Sequence, residues 1–243
     1  MRMSFNELLE YISNGRPNAP VEQLSLWMQE TPRFAEFVFE YRDKIRKKLR
    51  GVRDIEAQGD LLAELYAAYV ILQEPRLALA YEKYGVGKAR SPDFVVTFRG
   101  RLHFNLEVTR LRYPDSGAND RMLMLSRLGD TVIGKLGQTM PGMLNLLLVA
   151  PDDQQIDGEA LDEAMRLLRR RAEQQGTPFL ARKGFSNIAD FSKHYHQLSG
   201  ILLWSPQPNA IHTVWPNVHA KHKIPHDLWK ILQKSSQTNG TTS

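Results

Sequence analysis

The sequence contains no cysteine, which excludes disulfide staples, cysteine-ligated zinc and a thiol nucleophile, and accords with a reducing, cytoplasmic setting. Long apolar runs are absent too. The run Leu144 to Ala150 (LNLLLVA), like every other in the chain, is far shorter than the ~20 residues a bilayer-spanning helix needs. The start MRMSFNELLEY lacks the charged-then-apolar layout of a signal peptide, so no membrane association is expected. There is no phosphate-cradling glycine loop of the Walker type, no nucleophile elbow, no recognisable helix-turn-helix and no internal repeat. What is present is ordinary for a globular protein: 243 residues, 42% apolar and 24% charged, enough chain to bury a full core. The net charge of +5 and pI near 9.4 favour an anionic partner such as nucleic acid.

Hydrophobic periodicity predicts helices over Phe5–Ile12, Val21–Gln29 and Arg33–Leu49 in the first third of the chain. The last of these ends in RDKIRKKLRGVR, where seven of the twelve residues are Lys or Arg; this reads as a solvated helix end or as a phosphate-contacting patch. A helix over Ile55–Leu72, a strand over Leu77–Tyr84, a hairpin, a helix over Asp120–Leu136 and a buried strand over Leu144–Ala150 follow. Beyond them the pattern predicts a charged helix (Gly158–Gln175), a helical stretch near Ile188–His196, strands at Gly200–Trp204 and Ile211–Trp215, and a last helix over Pro225–Gln233. The domain organisation expected is an N-terminal helical segment over 1–54, an α/β domain over 55–234 and a disordered tail over 235–243.

The most informative stretch is the hairpin SPDFVVTFRGRLHFNLEVTRLR, residues 91–112. Side chains alternate faces along a strand. Phe94, Val96 and Phe98 therefore share an apolar face with Phe104, Leu106 and Val108, while Asp93 falls on the polar face with Asn105, Glu107 and Thr109. Closure over Arg99-Gly100 places residue 93 opposite 106 or 107, depending on whether one extra residue enters the turn. Opposed carboxylates repel, and a hard cation such as Mg²⁺ (or Mn²⁺), which uses only one or two carboxylates besides water and substrate phosphate, would offset this. Such an ion could polarise a phosphodiester and activate water. The plainer reading is a capping Asp93 and a solvated or salt-bridged Glu107.

Pro92-Asp93 followed across a hairpin by Glu107-Val108-Thr109 resembles the PD-(D/E)XK motif of the restriction-endonuclease-like nuclease superfamily. The resemblance spans roughly Ile55 to Ala150 and implies an α-β-β-β-α-β core, a mixed sheet flanked by helices, here with an N-terminal helical extension. It further implies a metal-dependent nuclease in which Asp93 and Glu107 bind Mg²⁺ or Mn²⁺, with Glu64 of the preceding helix as an additional acid. The departure is Thr109, which stands where the family carries its lysine. Threonine offers a hydroxyl but no charge to the transition state, and Arg110 beside it faces the other way. Lys135 on the following helix, at a place to which some family members move the lysine, and Lys88 before the hairpin are the candidate substitutes. Gln138 is a candidate for binding phosphate or a metal-bound water. The competing expectation is a catalytically inactive module of the same fold that binds nucleic acid or protein.

If this reading holds, DNA is the favoured partner and a homodimer would suit cleavage of both strands. Six of the seven histidines follow residue 193, but Pro225 interrupts the spacing of His219, His222 and His226 on one helix face, so a mildly basic surface is expected there. Arg169–Arg171 read as a solvated face.

Overall fold

The computed structural model describes residues 3–15, 19–52, 54–82, 92–112, 120–152, 156–205 and 212–235. Four helices come first: α1 (Phe5–Ser13), α2 (Ala19–Glu30), α3 (Pro32–Glu40) and α4 (Arg42–Gly51). The helix expected over Arg33–Leu49 is thus two helices. Tyr41 leaves helical geometry (φ −100°, ψ 18°), and its ring packs on Phe37 and Tyr81 at centroid distances of 5.0 and 5.7 Å. No glycine or proline marks that break, because an aromatic contact with a distant strand makes it.

Next come α5 (Ile55–Gln73), β1 (Leu77–Tyr81), β2 (Phe94–Phe98), β3 (Leu102–Leu111), α6 (Arg121–Leu136), β4 (Leu144–Pro151), α7 (Gly158–Arg182), α8 (Ile188–Tyr195), β5 (Leu198–Leu203), β6 (Thr213–Pro216) and α9 (His226–Ser235). Helix α7 runs past its expected end through a kink at Gly176. Asp54, Asp120, Asp157 and Asn187 cap α5, α6, α7 and α8, each side chain accepting from a backbone N–H three residues on, a contact worth about 1 kcal/mol per helix. Residues 83–84 of the expected first strand and the tail 236–243 lie outside the described residues.

The described strands form one mixed sheet in the order β1-β2-β3-β4-β5-β6. β1, β2 and β3 are antiparallel, β4 runs parallel to β3, β5 parallel to β4, and β6 antiparallel to β5. Every residue of β4 and β5 is buried, as strands covered on both faces require. One face packs α1–α5 and α9 into a single core with Phe94, Phe104, Leu106, Leu146 and Leu148. The other packs α6, α7 and α8 against Leu111, Leu147, Val149 and Ile201. The N-terminal helices therefore share a core with the sheet, and no helix among the described residues is long and apolar enough to cross a membrane.

The hairpin settles its own register. Arg99 and Gly100 both have positive φ (49° and 69°), the Arg101 N–H donates to the Phe98 carbonyl, and Phe98 pairs with Leu102. Three residues therefore separate the paired ends, one more than the tightest turn needs. Phe94 pairs with Leu106, so the same register carried one step further sets Asp93 level with Glu107. With a two-residue turn Asp93 would have faced Leu106.

The face expected to be polar is covered more than its composition suggests. Asn105 is 3% exposed, and its Nδ2 donates to Asn145 Oδ1 at 2.9 Å. Asn145 also accepts from the Met140 N–H and donates to the carbonyls of Met140, Met143 and Gln197. These asparagines join β3 to β4 beneath the end of α6.

Candidate active site

Asp93 immediately precedes β2, and Glu107 stands on β3 between the buried Leu106 and Val108. The backbone locks the two together: the Val108 N–H donates to Asp93 Oδ2 at 2.8 Å, while the Asp93 N–H is directed at the Glu107 carboxylate. On the other side the Glu82 N–H donates to the Asp93 carbonyl at 2.8 Å, so Glu82, Asp93 and Glu107 lie in one row across three strands.

Lys135, in the last turn of α6, places Nζ 2.8 Å from Glu107 Oε1; the side chains are 27% and 13% exposed. Gln138, just past the end of α6, sets its side-chain amide against the same carboxylate. The apolar stripe of Leu125, Leu128, Val132 and Leu136 is fully buried and sets the roll of α6 that aims Lys135 inward. Glu64 projects from the middle of α5, with Oε1 2.5 Å from Lys48 Nζ. Lys48 belongs to α4 and also reaches Glu82 Oε1 at 2.8 Å.

Lys48, Glu64, Asp93 and Lys135 line an open cleft of about 490 Å³, together with Thr109, Arg110 and Arg112; Glu107 and Gln138 line a small pocket of about 20 Å³ that shares Lys135 with it. The volume of the cleft is in the range of small-ligand sites. Arg110 is committed to Asp152 and Glu56, and Arg112 to Glu56 and Asp60. Lys48 and Lys135 are therefore the cations set against the acid row. Thr109 lines the cleft, and so does Arg110, contrary to the expectation from strand alternation, with its guanidinium held by Glu56 of α5 and by Asp152. Lys88 lies outside the described residues.

Burial and mutual repulsion govern the acids. Burial first and Glu107 second push the Asp93 carboxyl up from its ordinary 3.8 to about 6. Burial, then the charge on Asp93, raises Glu64, with Lys48 opposing. Burial raises Glu107 against the pull of Lys135. Raised carboxyls in a cleft, each with a named charged partner, are characteristic of functional sites.

Among the described residues no set of three or more His, Asp or Glu side chains is arranged to hold a metal ion. A divalent cation here would have the carboxylates of Asp93 and Glu107, with the remaining positions left to water and substrate oxygens. Two hard oxygen donors with water are within the coordination habit of Mg²⁺, so the donors present fit that ion. Glu64 lines the same cleft with one oxygen held by Lys48. The histidines lie elsewhere: His196 and His219 stack at 6.3 Å, and Arg169 lies 2.8 Å from His219 Nε2.

Sequence reasoning missed Lys48 and Glu82. A basic helix end with lysines at 44 and 48 repeats once per turn, but nothing local shows which strand that face meets. Comparison with protein-family models, curated sequences and solved structures finds no match to this chain.

Proposed function

We propose that this cleft hydrolyses phosphodiesters, with a divalent cation held by Asp93 and Glu107, and that the chain is a nuclease of the PD-(D/E)XK type acting on nucleic acid. The observation that carries the reading is the convergence of Asp93 and Glu107 at one level of the sheet with Lys135 on Glu107. The order α5-β1-β2-β3-α6-β4 supports it, since helix, three antiparallel strands, helix and parallel strand is the core arrangement that the motif implies. DNA is the favoured substrate, and a homodimer would suit cleavage of both strands.

When bound, the cation would supply Lewis-acid polarisation of the phosphate and acidify a bound water. The chain's own groups do the remainder. The Val108 N–H, donating to Asp93 Oδ2, holds the Asp93 carboxylate in a fixed relation to the strand that carries Glu107. Lys135, taking the part of the lysine that Thr109 lacks, orients the attacking water and offsets charge developing on the phosphoryl oxygens. The Thr109 hydroxyl, on the wall of the same cleft, would donate to that water. Water oxygen bonds to phosphorus as the ester P–O bond breaks, and the water's proton reaches the leaving oxygen through solvent.

The test is incubation of single- and double-stranded DNA and RNA with Mg²⁺ or Mn²⁺, beside melting curves with and without the ion. Cleavage is expected, together with a melting shift equivalent to about 2.7 kcal/mol at a hundredfold excess over Kd. Both effects should vanish in Asp93→Ala and Glu107→Ala. A shift that survives both substitutions would refute the metal assignment, and absence of cleavage on every substrate would refute the activity.

A further inference from the structure

Two neighbouring lysines of α4 meet the same end of β1 in different ways. Lys44 Nζ donates to the Tyr81 carbonyl at 3.0 Å, pairs with Glu82 Oε2 at 3.3 Å and lies 4.9 Å from the Tyr81 ring centre. Lys48 Nζ lies 4.7 Å from that ring centre and bridges Glu82 and Glu64. Only Lys48 of the two lines the cleft, where its side chain is 29% exposed. Lys44 thus docks α4 on the strand and already partners Glu82, which leaves Lys48 directed into the acid site, within electrostatic reach of Asp93.

We infer that Lys48 is a substrate-contacting residue of the cleft: a second cation, opposite Lys135, that binds a non-bridging phosphate oxygen of a nucleic-acid backbone. This rests on the reading of the cleft as a phosphodiester site. Its consequence is that the N-terminal helices are part of the binding machinery. A lone lysine between two carboxylates is a point charge with three donors, so Nζ can keep Glu64 and still donate to an anion entering the cleft. Arg110 and Arg112 line the same cleft, each paired with two carboxylates, but neither bridges Glu64.

The test measures anisotropy of a fluorescein-labelled single-stranded oligodeoxynucleotide in EDTA at several salt concentrations, with melting curves alongside. Lys48→Met is expected to weaken binding about tenfold and to lower the salt slope by about one, and Lys48→Arg to keep most of the affinity. Lys44→Met, which removes the docking contacts alone, is expected to bind like wild type despite a lower Tm. The double variant Lys48→Met/Glu64→Gln keeps the charge of the pair at zero. Its affinity should stay low if Lys48 touches the phosphate, and recovery would mean that Lys48 only shields Glu64. Recovery, equal losses in the two lysine variants, or no binding by the wild type would each overturn the inference. Oligonucleotide bound through Lys48 yet never cut with Mg²⁺ or Mn²⁺ would uphold it and defeat the hydrolytic reading instead.

Discussion

Lys135 Nζ lies 2.8 Å from Glu107 Oε1 across 28 residues of chain, so a helix supplies the charge that the strand position of Thr109 lacks. The pairing has a direct consequence for activity. Lys135→Met should lower the single-turnover cleavage rate about 10²–10³-fold, the usual cost of losing one transition-state donor. Because Thr109 lines the same cleft, adding Thr109→Lys to that variant should restore part of the rate. A Lys135→Met rate equal to wild type would remove the lysine from the mechanism.

Asp93 makes stability depend on pH in the unusual direction. The native state holds its proton more tightly than the unfolded chain does. The stability Asp93 contributes is therefore full below the ordinary value of 3.8 and is lost as pH rises through about 6. Over that span the loss amounts to about 3 kcal/mol. Asp93→Asn keeps an acceptor for the Val108 N–H and abolishes the charge, so in EDTA it should raise Tm at pH 7.5 and leave it nearly unchanged at pH 4. A lower Tm at pH 7.5 would contradict this.

Gly59 is needed for a close approach. A Cβ there would overlap the Arg110 guanidinium, which is held by Asp152 and Glu56. Gly→Ala in a helix interior ordinarily stabilises by about 1 kcal/mol. Here Gly59→Ala should instead destabilise by about 1–2 kcal/mol in urea denaturation, since overpacking and displaced ion pairs outweigh the gain. In an Arg110→Met background the helix-forming gain should reappear.

Asn145 is a buried polar junction between β4, the end of α6 and β5. Asn145→Leu leaves the Asn105 amide and the Met140 N–H without their acceptor, at about 1–3 kcal/mol for each buried group. A loss of about 3–5 kcal/mol is expected from chemical denaturation, although leucine is the more apolar residue. A loss below 1 kcal/mol would show that the junction adds little.

Much of this architecture is legible in the residues. Capped amphipathic helices and the uniformly apolar strand at 144–150 announce themselves because their signals are local: a period, an Asx cap, a turn. Asp93 and Glu107 stand out for the same reason, as strand parity puts them on one face. The split at Tyr41 was not legible, since it depends on packing against Tyr81 on a strand distant in the chain. The burial of Asn105 escaped for the same kind of reason, because α6 and β4 cover it only after folding.

The site divides along that line. The sequence by itself determined that two acids alternate onto one strand face and that Thr109 follows where a cation would serve. It left open whether residue 93 meets 106 or 107, and which lysine comes near. Tertiary structure decided both: one added turn residue set the strand register, and the buried stripe of α6 and the docking of α4 on Tyr81 carried Lys135 and Lys48 to the acids. Register and helix roll are chosen by the packing free energy of whole faces, which no short stretch of chain contains.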